Sequence, residues 1–335
     1  MSVHLHRLST DNAWLISFSN NLQARLSPGD ITLTFLLDPW LDGPEIDIHP
    51  WFLTQFHSAS KPPQFHNFPS LAEFLASDPR GAVDAVIITF EGNDHLHKPT
   101  IDGVDEDIPF FAFSGAAKKL RAWGRRYIYE IPKDPGCLDV GKQMSEFESK
   151  VGSRRADWAA RKEFYEKLDI NLSFVATSAS RWEDLVQDLI RGALVISFSK
   201  GSEAERGALL YQPHSTPLKD IAAWKTRQES SHKNVDVFAF LAGWDVVRFP
   251  WLLGGPSTNG GGPDNGKIVQ LLSSQYWLRT HDEETLMSGL VRLFNRREVW
   301  SKERAEAEIP ESNTKLLDLD PGEILSIPMQ AAEPA

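Results

Sequence analysis

Three of the ten histidines lie where a folded chain presents chemistry. His95 follows the apolar run 83–90, with Asp94 beside it. His214 follows the run 208–211. His281 follows 276–280, with Asp282 beside it. Loops just beyond the ends of strands are where a sheet scaffold displays functional groups. Imidazole is the commonest transition-metal ligand, and an adjacent carboxylate completes a site of borderline hardness. The same residues have a plainer reading. Asp94 can accept backbone N–H bonds within its loop, and His95 and His281 can hydrogen-bond to it with no ion present. His4, His6, His49, His57, His66 and His232 fall in N-terminal or loop-like stretches and are expected to be solvated or hydrogen-bonded.

Other chemistry is weaker. The stretch 254–266 is glycine-rich but lacks a G-K-[ST] ending and is interrupted by prolines, so it reads as a flexible loop near a pocket mouth rather than a phosphate cradle. Cys137 is the one cysteine. It cannot form an internal disulfide or contribute to a multi-cysteine zinc site, and no histidine can be assigned to activate it. Among eleven tryptophans, Trp40, Trp51, Trp244 and Trp251 sit in loops after strands; most tryptophans are expected in the core, and several are placed to line an apolar pocket for an aromatic or acyl ligand.

The elements that must hold these groups alternate along the 335 residues. Strands are expected at 13–18, 31–37, 83–90, 108–113, 127–131, 170–177, 193–199, 208–211, 235–241, 276–280 and 323–327. Helices are expected at 71–76 behind a Ser70 cap, 115–123, 219–226, 266–272 and 283–294, with a charged helical excursion over 142–167. The stretch 43–69 reads as a long ordered loop. The early hairpin and the long excursion do not fit a simple βαβ ladder and imply layered sheets with helices outside. A net charge of −11 argues against nucleic acid or an anionic membrane as partner. No run reaches the roughly 18–20 apolar residues of a membrane helix. The N-terminus has no apolar leader, so the expected compartment is the cytoplasm.

Taken in order, four stretches resemble the metallo-β-lactamase superfamily, in particular its fungal-type branch. VDAVIITFEGNDHLHKPT at 83–100 resembles the superfamily's metal-binding strand and loop, and Asp38-Pro39-Trp40-Leu41 resembles the strand before it. Leu209-Leu210-Tyr211-Gln212-Pro213-His214 resembles the later strand that ends in a bridging aspartate, and Arg279-Thr280-His281-Asp282-Glu283 resembles the last histidine motif. The resemblance covers about residues 10–295. It implies a four-layer αββα sandwich over 1–300, with a helical insertion at about 142–168. Residues 301–335 are then an acidic tail with a late strand.

The departures define the site. Against the pattern T-H-x-H-x-D-H this chain reads Thr89-Phe90-Glu91-Gly92-Asn93-Asp94-His95, so two leading histidines are replaced by Phe90 and Gly92. A third ligand, expected near 176–179, is also missing. One of the superfamily's two metal sites is therefore expected to be absent. The other is expected at Asp94, His95, His214 and His281, where His214 replaces the bridging aspartate and can ligate a single ion. Such a set suits zinc or iron better than calcium or magnesium. The resemblance then implies a metal-dependent hydrolase of an ester, thioester, amide or lactone, with Asp94, Glu91 or Asp282 in catalytic roles. Four ligands would close a tetrahedral ion, which leaves two alternatives open. One is a metal-free member that binds a small apolar molecule or catalyses a non-hydrolytic step. The other is a non-catalytic scaffold.

Overall fold

The computed structural model describes residues 1–21, 25–152, 158–178, 191–202, 205–231, 234–248, 261–282 and 285–329. Two seven-stranded sheets carry the architecture. The first runs β19(Ile324–Pro328), β1(Ser2–Arg7), β2(Trp14–Ser19), β3(Thr32–Leu37), β6(Ala85–Ile88), β7(Phe110–Ala112), β8(Ile128–Glu130). The second runs β18(Lys315–Leu317), β15(Tyr276–Leu278), β13(Asn234–Ala242), β12(Glu205–Gln212), β11(Gly192–Ser202), β10(Asn171–Ala176), β9(Leu138–Asp139).

Alternate residues of both sheets meet in one core. Val3, Leu5, Trp14, Ile16 and Phe35 from the first sheet share it with Leu172, Leu194, Ile196, Leu209 and Phe238 from the second. The opposite face of the first sheet is covered by the helices Phe68–Ser77, Lys98–Asp102 and Ser114–Ala122 through Leu71, Leu75, Ile101 and Leu120. The opposite face of the second is covered by Leu218–Ser230, Gly261–Leu272 and Lys302–Glu306 through Ile221, Trp224, Ile268 and Ala305. The result is the expected four-layer αββα sandwich. Burial on both faces explains why β3, β6 and β13 read as nearly unbroken apolar runs.

Several sequence expectations are corrected. Residues 2–7, where no strand was expected, form the buried strand β1, and His4 and His6 lie inside it, hydrogen-bonded rather than solvated. The alternation Val3, Leu5 against His4, His6 was its signal. The first helix is capped by Asn67, not Ser70; Ser70 is the third helical residue and completes a reciprocal capping box. The helix expected from 266 begins at Gly261. There a Cβ on Gly261 would stand 2.4 Å from the Asp245 carbonyl oxygen, and one on Gly262 the same distance from the Trp300 ring. These glycines let the helix start pack tightly. The rest of the glycine-rich stretch, 254–260, lies outside the described residues.

Of the helix expected at 283–294, residues 283–284 lie outside the described residues; the rest is instead the short strand β16(Leu286–Ser288) and a 3-10 turn Leu290–Leu293, separated by Gly289 at φ +92°. β16 pairs with β5(Leu53–Phe56), which pairs with β4(Glu45–Asp47), so part of the supposed loop 43–69 is a small antiparallel sheet. The excursion expected at 142–168 corresponds to the helices Val140–Val151 and Trp158–Leu168, which add Met144, Phe164 and Leu168 to the core between the sheets. Residues 301–329 supply a helix and an edge strand to each sheet.

Candidate metal centre

The site stands at one rim, where parallel strands of both sheets end. β3 and β6 are parallel in the first sheet, and β12, β13 and β15 are parallel in the second. The Asp94–His95 turn follows β6, His214 follows β12, and His281 follows β15. Each of these four residues offers one ligand atom, and the four atoms lie within 4.8 Å of one another. The imidazole centroids form a triangle of 5.2, 5.2 and 4.8 Å.

A further pair of carboxylates aims two of the rings. Asp38, at the end of β3, takes His95 Nδ1 on Oδ2 at 2.8 Å. Asp38 is itself fixed by the Thr89 backbone N–H at 2.7 Å and the Thr89 hydroxyl at 2.5 Å. Asp11, in the β1–β2 turn, takes His281 Nδ1 on Oδ1 at 2.9 Å, and its carbonyl accepts the His281 backbone N–H at 3.0 Å. With both Nδ1 atoms occupied, the Nε2 atoms of His95 and His281 turn to Asp94 Oδ2, at 3.4 and 3.7 Å. His214 Nε2 is buried and has no hydrogen-bond partner among the described residues. An orphaned, buried imidazole nitrogen facing two oriented imidazoles and a carboxylate is what a metal ligand set leaves when it is described without its ion.

Asn12 braces the cluster. Its side-chain amide donates to the Asp94 carbonyl at 3.1 Å and accepts from the Tyr211 hydroxyl at 3.4 Å. Asp38 and His281 both sit at positive φ, 41° and 56°. Such backbone is held only where surrounding structure over-determines it, and here it lies at one aiming carboxylate, Asp38, and at one of the aimed rings, His281.

The electrostatics follow from the packing. Burial would lower His95, but the Asp94 and Asp38 carboxylates outweigh it and hold the ring well above its ordinary value. His281 is raised against burial by Asp11 and Asp94. His214 is pushed well below by burial and by its two imidazole neighbours. Burial would raise Asp94, yet the three histidines hold it below the usual carboxylate range. Nearby on β4, Glu45 is pushed up to about 9 by burial and by the charges of Asp94 and Asp47.

Asp282 and Glu91 are not part of the four-residue cluster. Asp282 is buried, accepts the backbone N–H groups of Trp244 and Asp245, and pairs with Arg279 at 3.2 Å. It belongs to a network in which Asp245 also holds Arg279 and Arg297. Glu91 is exposed and lies over Gly115, at the start of the helix Ser114–Ala122. Phe90, which stands where the superfamily pattern has a histidine, packs edge-on against His95 and His214, with centroids at 5.4 and 5.2 Å. Trp40 and Trp244 are buried and Trp51 is exposed; Trp251 and His232 lie outside the described residues. Sequence reasoning missed Asp11, Asn12 and Asp38 at the site. Asp38 was inside a quoted motif, and its place at a strand end was the available signal.

No family model matches the chain, and no curated protein matches it in sequence. Solved structures do. An isothiocyanate hydrolase from Delia radicum gut bacteria aligns over 97% of this chain and 99% of its own, at 16% identity and a TM-score of 0.54. A possible metal-dependent hydrolase from Veillonella parvula covers 97% and 98%, at 16% identity and 0.52. A metallo hydrolase from the archaeon Ignicoccus hospitalis covers 98% and 99%, at 11% identity and 0.51. The fold is the metallo-β-lactamase fold. Within it this chain keeps a histidine–aspartate cluster at the sheet rim. Among the described residues no helix is long and apolar enough to cross a membrane.

Proposed function

We propose that the protein is a metal-dependent hydrolase of a small molecule, with one zinc or iron ion held by Asp94, His95, His214 and His281. The observation that carries the proposal is the convergence of these four ligand atoms with two rings already oriented by Asp38 and Asp11. Two acidic partners and one unpartnered nitrogen suit a divalent cation, which would replace the protons that the carboxylates otherwise draw onto His95 and His281. When bound, such an ion, expanding to a fifth ligand beyond the four side chains, would polarise a substrate carbonyl and lower the pKa of coordinated water. The chain's own contribution is to fix ligand direction through Asp38 and Asp11, to brace the Asp94 loop through Asn12, and to close off the second-ion side with Phe90.

Solved structures of the same fold described as hydrolases, one of them only as a possible one, support the reaction class; an ester, thioester, amide or lactone is the substrate proposed here. The net charge of −11 favours a substrate without a polyphosphate backbone. A cytoplasmic setting belongs to the same proposal, on the strength of Cys137, a lone exposed thiol of the kind reducing compartments keep free.

The deciding experiment is elemental analysis of protein purified without histidine tag or chelator, paired with a panel of ester, thioester, amide and lactone substrates. About one zinc or iron per chain with chelator-sensitive turnover is the expected result. Less than about a tenth of an equivalent of any transition metal, after incubation with excess zinc and desalting, would replace this reading with a metal-free pocket.

A further inference from the structure

The small sheet beside the metal centre has two unlike faces. Strand pairing places Glu45, Asp47, Gln55 and Met287 on one face. That face turns toward the site: Glu45 is buried, and Asp47 accepts a hydrogen bond from Asn93, the neighbour of Asp94, at 3.0 Å. The other face carries Ile46, Phe56 and Leu286, all exposed, with Leu286 62% accessible. Further exposed apolar residues lie in the segments that adjoin this sheet. Ile48, in the turn after β4, is 83% accessible and sits at φ +64°, a conformation β-branched residues rarely adopt. Trp51 is 62% accessible, and its carbonyl accepts the Leu290 backbone N–H at 2.9 Å, which ties it to the 3-10 turn where Leu293 is 76% accessible.

We infer that this face is the contact through which two copies of the chain form a symmetric dimer. Ile48, Trp51, Phe56, Leu286, Leu290 and Leu293 together expose on the order of 700 Å² at full side-chain areas of roughly 180–250 Å² each. Monomeric soluble proteins rarely leave a contiguous apolar patch larger than a few hundred Å². A standard interface buries about 800 Å² per partner, which this patch and a narrow rim supply. A two-fold contact sets the patch against itself and so requires a centre free of like charges. On the sheet, the pairing sets uncharged Thr54 and Ser288 between Ile46, Phe56 and Leu286, while Arg292 is exposed beside Leu293 in the 3-10 turn. An anionic lipid surface is the less suited occupant, because a chain of net charge −11 is repelled by it. The dimer stands independently of the metal reading, since none of the patch residues is a candidate ligand.

The test is sedimentation velocity on the full chain at about 1 to 50 μM, in low and in roughly 0.5 M salt. A dimer is expected, held or tightened by salt, because screening removes repulsion between two acidic chains while the contact itself is apolar. Ile48→Lys/Leu293→Lys is expected to weaken association by at least tenfold, and the milder Trp51→Ser to weaken it in the same direction, each with an unchanged circular dichroism spectrum and Tm of the monomer. Unmodified protein that stays monomeric at 50 μM overturns the inference. So does a dimer that survives both variants. Flotation of the monomer with vesicles of zwitterionic and anionic lipid, in place of self-association, overturns it in favour of a membrane.

Discussion

Replacing Asp11 with Asn separates ring orientation from folding. Asp11 Oδ1 holds His281 Nδ1 at 2.9 Å, while the contacts that anchor the loop, the His281 N–H at 3.0 Å and the Thr280 hydroxyl at 2.9 Å, both go to the Asp11 carbonyl. The substitution therefore removes the carboxylate and leaves the backbone bonds in place. An outer carboxylate on a metal-bound histidine fixes its tautomer and raises its basicity, and losing one costs about 10–100-fold in metal affinity. At about 1.4 kcal/mol per tenfold, that is roughly 1.4–2.8 kcal/mol of binding. The assay is zinc affinity by competition with a chromophoric chelator, read beside the Tm of the metal-free protein. The expected result is a 10–100-fold rise in Kd with the metal-free Tm nearly unchanged. Binding within about twofold of the unmodified protein would refute the argument that Asp11 directs His281 to an ion. The companion Asp38→Asn separates the effects further. It also disturbs the buried bond from the Thr89 N–H, so a comparable affinity loss comes with about 1–3 kcal/mol of lost stability.

Other outcomes follow from the same packing. His95 and His281 are raised by their carboxylates, so protons compete with the ion; metal affinity falls as pH drops, and calorimetry in buffers of different ionisation enthalpy registers proton release on binding. Glu45 is raised to about 9, so its folded form holds a proton that the unfolded chain gives up above its ordinary value of 4.5. Its stabilising effect is full below about 4.5 and is lost as pH rises toward 9. Glu45→Gln should therefore gain stability over the unmodified protein with rising pH in urea titrations, and show no gain at pH 4. Asp245 is wholly buried between Arg279 and Arg297 and accepts the Trp300 N–H at 2.9 Å; Asp245→Ala removes the carboxylate that both guanidinium groups share and the acceptor of that N–H, and should cost about 3–5 kcal/mol in denaturant unfolding.

Strands whose side chains are buried on both faces announce themselves, and the runs around 31–37, 83–90 and 235–241 correspond to β3, β6 and β13. The resemblance to a known superfamily then gave those runs an architecture that periodicity alone left open. What failed to show was structure made by distant partners. β1 alternates histidine with apolar residues because its histidines meet Ser326 and Arg80, which lie far away in the chain. β4, β5 and β16 are only three or four residues each, and β16 meets β5 across more than 200 positions. The helical pattern at 283–294 was broken by a glycine at positive φ, whose local conformation periodicity does not encode. At the site, the strand-end histidines stood out because they interrupt apolar runs. Asp11 and Asp38 did not, because a carboxylate that orients a ligand is identified by what it touches.

The pairing of β1 with β19, His4 opposite Ser326 and Leu5 opposite Leu325, has a consequence for how the chain is made. More than 300 residues separate the two strands. At ribosomal speeds of about 5–20 residues per second, β1 waits on the order of tens of seconds for its neighbour. Throughout that interval the nascent first sheet has an open border of unpaired amides and carbonyls, able to pair with a strand of another growing polypeptide. Slow synthesis or premature termination before position 324 therefore raises the hazard of aggregation on the polysome, and chaperone holding of the amino-terminal hairpin would relieve it.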